Sequence, residues 1–247
     1  MQPDLTGKVV VITGASRGLG RAMALGFARA GADVVVSSRT AEACEEVAAE
    51  IRAVGRRAVV APCHVGRWSE CAHLIDRARA TFGRIDVLVN NAGIAPVAPA
   101  LQAIGEELFD KTLAVNLKGP LRLTALAADL MPDGASVINI SSRASTKPTP
   151  PTVVYAAAKA GLNALTIAAA QEFGPRGIRV NAIVCGPFRT SSFTKALDGT
   201  VDEHALTDRI PLRRIGDPEE IIGTALWLGS AASSYVTGAL ITLDGGA

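Results

Sequence analysis

The chain reads as an α/β protein with a single doubly wound parallel sheet, and three observations carry that reading. Short β-branched runs alternate with longer alanine-rich segments of helical character, as in repeated βαβ units whose strands are buried on both faces. A glycine-rich turn joins the first run to the first helical segment. With 247 residues, 49% hydrophobic and 19% charged, the chain can build one large core, so residues 1–247 are expected to form one domain.

Taken in order, strands are expected at residues 8–13, 33–38, 57–62, 85–90, 136–141, 179–184 and 240–243, about seven in all, each a valine-, isoleucine- or leucine-bearing run of strand length. Helices are expected between them at 19–30, 41–54, 68–82, 106–131, 153–173 and 218–229. Parallel crossovers are almost always right-handed, which lays helices on both faces of the sheet. Two stretches escape the alternation. Pro148, Pro150 and Pro151 form a stiff lead into the helix at 153, and residues 186–211 are long and mixed in polarity, as expected of a substrate lid.

Composition excludes several classes of function. The formal charge is +2 and the 25 Lys and Arg residues are scattered, so neither nucleic acid nor a membrane surface is an expected partner. The N-terminal stretch lacks a basic region and its apolar run breaks at Gly14, unlike a secretory signal, and no apolar run reaches membrane-spanning length. Cys44, Cys63, Cys71 and Cys185 are irregularly spaced, which suits free thiols in the cytoplasm. His64, His73 and His204 are isolated, and no metal site is expected.

Candidate binding residues begin at Thr13-Gly14-Ala15-Ser16-Arg17-Gly18-Leu19-Gly20, between a strand and a helix. Glycines there let backbone approach a pyrophosphate, and the helix N-terminus offers free N–H groups. The second strand chooses the dinucleotide. Asp33 begins that strand, whereas Ser37, Ser38, Arg39 and Thr40 lie at its far end. With Arg17 and Arg39 available and no carboxylate at that edge, NADP(H) is favoured and NAD(H) is the alternative. Strand four ends in Asn90-Asn91-Ala92-Gly93, again at a carboxyl edge where such sheets bind ligands.

Candidate chemistry lies further on. Tyr155 and Lys159 stand at i and i+4 on one helix face, where an ammonium, and a positively charged oxidised nicotinamide, would lower a phenol pKa from its ordinary value of about 10. Ser142 follows strand five, where a hydroxyl can polarise a carbonyl, and Asn116 sits within a helix that does not favour asparagine.

Together Thr13-Gly14-x-x-x-Gly18-x-Gly20, Asn90-Asn91-Ala92-Gly93, Asn116, Ser142 and Tyr155-x-x-x-Lys159 resemble the short-chain dehydrogenase/reductase family in its compact single-domain branch, similar to ketoacyl reductases and polyol or sugar-acid dehydrogenases. The resemblance implies a Rossmann-type fold and a hydride-transfer oxidoreductase acting on a small-molecule carbonyl or alcohol. Tyr155 would be the general acid or base, Ser142 would hold the substrate oxygen, Lys159 would bind the nicotinamide ribose and lower the phenol, and Asn116 would support a proton relay through water. It also implies cofactor contacts from Gly14, Ser16, Arg17, Gly18, Leu19, Gly20, Ser38, Arg39, His64, Val65, Asn91, Ala92, Gly93, Tyr155, Lys159, Gly186, Phe188 and Thr190. The family commonly forms homotetramers on the helices at 106–131 and 153–173 and on the last strand. Two departures stand out: Cys185 replaces a usual proline, and His64 replaces a usual aspartate at the adenine. A catalytically idle NADP(H)-binding sensor or assembly protein is the alternative class. Arg143 and Arg189 flank the expected reacting centre and could signal an anionic substrate.

Overall fold

A computed structural model describes residues 3–191, 193 and 203–247. Seven strands form one parallel sheet in the order β3-β2-β1-β4-β5-β6-β7. They are β1 (Val9–Thr13), β2 (Asp33–Ser37), β3 (Ala58–Val60), β4 (Val87–Asn90), β5 (Ser136–Ser142), β6 (Arg179–Cys185) and β7 (Leu240–Leu243). The helices are α1 (Gly18–Arg29), α2 (Ala41–Ala53), α3 (Trp68–Phe82), α4 (Glu106–Leu113), α5 (Gly119–Ala128), α6 (Val153–Phe173), α7 (Glu203–Thr207) and α8 (Ile221–Gly229). Strand order reverses between β1 and β4, and open α/β sheets bind ligands outside the carboxyl ends at such a switch point.

Alternation along the strands divides the core. Val10, Ile12, Val34, Val36, Ile138 and Ile183 pack against α1, α2 and α8, where Phe27 and Met23 are fully buried. Val11, Val35, Leu88, Val137 and Val180 face α3, α5 and α6. Both faces are therefore apolar, which is why the strand runs lack polar alternation.

Three elements differ from the sequence expectation. The edge strand is shorter than 57–62, because the Arg57 N–H is taken by the Asp33 carboxylate at 3.0 Å and Pro62 has no N–H. The helix that begins at 218 opens instead as a 3-10 turn over Pro218–Glu220, held by a capping box in which Asp217 and Glu220 satisfy each other's N–H groups. The single helix expected at 106–131 is broken by a π-helical segment at Ala114–Lys118 and ends at Ala128. Pro120 cannot donate to the carbonyl four residues back, which belongs to Asn116, so the regular ladder fails there. The Asn116 side chain fills part of the gap, donating from Nδ2 to Thr112 O at 2.9 Å and Ile94 O at 2.8 Å.

The stretch Pro150–Arg176, which contains α6, is long and apolar enough to cross a membrane by length and composition, which corrects the expectation that no run is. Half of its apolar window is buried inside the protein, against β5 and β6, as suits a core helix.

Candidate active site

At the switch point the glycine turn is clamped from β4. Asn91 Nδ2 donates to Thr13 O at 2.8 Å and Gly14 O at 3.2 Å, while Asn91 N and Ala92 N donate to Thr13 Oγ1 at 3.0 and 3.1 Å. Gly14 and Gly18 adopt φ of +64° and +53°, the region that favours glycine. A Cβ on Gly20 would collide with Gly14 O. Thr13 is thus as central as the glycines, although the sequence reading counted it only as the start of the motif. Ser16, Gly18 and Leu19 are part-exposed at the mouth of this turn, and Arg17 is exposed.

Register places the two ends of β2. Asp33 pairs with Val9 at the amino edge, and Ser37 pairs with Thr13 at the carboxyl edge. Asp33 is buried and engaged by Arg56 Nη2 at 2.9 Å and Arg57 Nε at 2.7 Å, far from the glycine turn. Ser38 Oγ lies 3.1 Å from Cys44 Sγ, and Arg39 is exposed. Neither Arg17 nor Arg39 makes an ion pair or side-chain hydrogen bond among the described residues. Two free guanidiniums without a competing carboxylate suit a dianionic phosphate such as the 2′-phosphate of NADP(H).

After β3, Val65 is buried and its carbonyl accepts the Cys71 thiol at 3.3 Å. His64 Nδ1 accepts the Gly66 N–H at 3.2 Å, so in the neutral ring the proton sits on Nε2 and that edge is a donor. The aspartate usual in the family would accept instead. Gly186 and Phe188 follow β6, Phe188 being buried and bridged to Gly216. Thr190 abuts the glycine turn: a Cβ on Gly18 would lie 3.2 Å from Thr190 Cγ2. Of the expected lid, residues 192 and 194–202 lie outside the described residues.

The polar side chains converge at the carboxyl end of β5. Ser142 pairs in register with Cys185. Its Oγ accepts the Ala144 N–H at 3.2 Å, which leaves its own proton free to donate. Lys159 is buried, donates to Ile140 O at 2.7 Å, and lies 5.8 Å from the centroid of the Tyr155 ring. A Cβ on Gly93 would sit 3.0 Å from Asn116 Oδ1 and 3.7 Å from Lys159 Nζ, so only glycine keeps the space between those groups open. Arg143 opens the 3-10 turn after Ser142 and has a buried Nε without a hydrogen-bond partner.

Burial pushes the Tyr155 phenol above its ordinary value; the contact with Ser142 offsets part of that and Cys185 adds to it. Burial also brings Lys159 down to about 8. Burial likewise pushes the Cys185 thiol up to about 12.

Comparisons with known proteins show the family. A family model described as enoyl-(acyl carrier protein) reductase matches residues 14–247. The 3-oxoacyl-(acyl-carrier-protein) reductase FabG of Thermotoga maritima is 38% identical over 244 residues, spanning 98% of each chain. The 3beta-hydroxysteroid dehydrogenase 1 of Eggerthella lenta is 38% identical over 252 residues, spanning 100% of this chain and 95% of that one. A short chain dehydrogenase from Burkholderia cenocepacia, solved in complex with NADP, superposes with a TM-score of 0.93 at 31% identity over 98% of both chains. This chain belongs to the short-chain dehydrogenase/reductase family, and it is an oxidoreductase.

Proposed function

We propose that the protein is an NADP(H)-dependent oxidoreductase that moves a hydride between the nicotinamide and a carbonyl or secondary alcohol carbon, using Ser142, Tyr155, Lys159 and Asn116. The convergence of the Ser142 hydroxyl, the Tyr155 phenol and the buried Lys159 ammonium beside the glycine turn carries this reading. When bound, the nicotinamide supplies or accepts the hydride. In the reductive direction Ser142 O–H donates to the substrate oxygen, and Tyr155 O–H passes its proton to that oxygen as charge builds there. Lys159, with its pKa brought to about 8, is suited to restore that proton. The Asn116 carbonyl, which has no N–H to accept from at Pro120, would accept from a water that leads to Lys159.

NADP(H) is the preferred cofactor in this reading, supported by the free Arg17 and Arg39 and by the sequestered Asp33. Relatives solved with NADP and NADPH agree with it. The cofactor would be held by the backbone of 14–20, by Ser38, Arg39, His64, Val65 and 91–93, and by Gly186, Phe188 and Thr190. The names of the Thermotoga and Eggerthella relatives point to a substrate of the keto or hydroxy class. We infer a homotetramer, because Phe109 on α4, Leu121 on α5, Ile167 on α6 and Leu240 on β7 remain exposed on the elements expected to associate.

Titration of nicotinamide fluorescence with NADPH and NADH, followed by an absorbance screen of ketones and alcohols, tests the proposal. Tighter NADPH binding and carbonyl turnover are expected. Tyr155→Phe should bind NADPH normally and lose on the order of 10²-fold or more in kcat. Near-normal turnover in that variant would sink the assignment.

A further inference from the structure

Helix α6 presents a third polar residue along the face that carries Tyr155 and Lys159. Asn163 lies four positions past Lys159 and is buried where the helix meets β5. Its amide serves one position on β5 and one in the turn that follows it. Ser141 Oγ donates to Asn163 Oδ1 at 2.6 Å, Asn163 Nδ2 donates to Ser145 Oγ at 2.9 Å, and Ser145 Oγ donates to the backbone carbonyl of Ser142 at 2.6 Å. The chain of donors runs in one direction, from the residue before Ser142, through the helix, and back to Ser142 itself. Hydrogen bonds arranged in this way polarise and strengthen one another away from water.

Ser142 is the last residue of β5 and leads into a three-residue 3-10 turn, Arg143–Ser145, a kind of turn that holds its backbone less firmly than an α-helix does. The strand ladder alone cannot set where such a turn aims a hydroxyl. Asn163 ties both flanks of Ser142 to the helix that carries the phenol. The next contact along the same seam differs: Asn139 Nδ2 donates to Thr166 Oγ1 at 2.9 Å, deep in the core, with no link to the turn.

We propose that Asn163 is a positioning residue that fixes the Ser142 hydroxyl against the Tyr155 phenol, acting through Ser141 and Ser145. The proposal rests on the reading of Ser142 and Tyr155 as the working hydroxyl pair. Contact with Ser142 favours the phenolate of Tyr155, so loosening the turn raises the pH at which that phenol ionises.

The test is spectroscopic and needs no substrate. The chain has only two tyrosines, and Tyr235 is fully exposed, so the phenolate absorbance near 295 nm, read within milliseconds of a pH jump and corrected with Tyr155→Phe, isolates Tyr155. Asn163→Leu should raise the Tyr155 midpoint by about 0.5 pH unit or more. Ser145→Ala should raise it in the same direction, Ser145→Thr should restore it, and Thr166→Val should lower the melting temperature without moving it. NADPH affinity should stay within about twofold in all four, because none of them touches the glycine turn. An unmoved midpoint in a folded Asn163→Leu protein overturns the proposal. If that variant does not fold, Ser145→Ala decides: a wild-type midpoint there overturns it, and so does an equal shift from Thr166→Val. Retained carbonyl reduction by Tyr155→Phe would instead remove the underlying reading while leaving the titration result intact.

Discussion

Replacing Asp33 with asparagine separates two ways in which an acid on β2 could matter. Asp33 stands level with Val9, four residues before Ser37, so at about 3.3 Å per residue it lies roughly 13 Å from the carboxyl edge. There it is a buried carboxylate that accepts from Arg56 Nη2 at 2.9 Å, Arg57 Nε at 2.7 Å and Arg57 N at 3.0 Å. Charge-assisted bonds of this kind are worth about 1.5–3 kcal/mol each at best. Here the Arg57 side chain is 69% exposed and the asparagine keeps one acceptor, which discounts the sum to about 1–3 kcal/mol. For a chain of this size that is a fall in Tm of roughly 2–12 °C.

Burial alone would raise the Asp33 pKa, but the hydrogen bonds from Arg57 and Arg56 outweigh it and hold the group below its ordinary value. A depressed acid stabilises above its unfolded pKa of about 3.9, and that contribution is lost as pH falls through the folded value. The gap between wild type and Asp33→Asn should therefore be constant from about pH 5 to 8 and close below about pH 4. Urea unfolding at several pH values measures it, and paired NADPH and NADH titrations should give an unchanged affinity ratio. A ratio that moves by more than about threefold, or a variant as stable as wild type at pH 7, would refute the reasoning.

Three further outcomes follow from the same geometry. Gly20→Ala forces a Cβ against the Gly14 carbonyl, so NADPH affinity should fall by at least about tenfold and Tm should drop, read by fluorescence titration and calorimetry. Lys159 is buried with its pKa brought to about 8, so the folded state favours the neutral amine; relative to Lys159→Met, wild type should gain up to roughly 3 kcal/mol of stability as pH rises from about 8 to 10. Ile167→Glu puts a charge on an exposed apolar face of α6 and should reduce the proposed homotetramer to smaller species in light scattering, with the monomer fold retained by circular dichroism.

Much of this protein was legible from neighbours in sequence. Valine-rich strands buried on both faces announce a parallel sheet, and the spacing of glycines after β1 marks the turn. The position of Asp33 at the start of its strand, opposite Arg39 at the end, follows from counting residues along an extended chain. These features depend on periodicity and on local backbone freedom, which a linear chain displays. Other features depend on residues distant in the chain. The π-helical segment needs the missing N–H of Pro120 and also Ile94, 22 residues before Asn116. Burial of the Tyr155 phenol, which raises its pKa, could not be seen from the i+4 lysine, because burial is a sum over every element that covers the phenol. The bridge from Ser141 through Asn163 to Ser145 exists only once α6 lies across β5, because hydrogen bonds are fixed by position in space and periodicity within one helix cannot supply their partners.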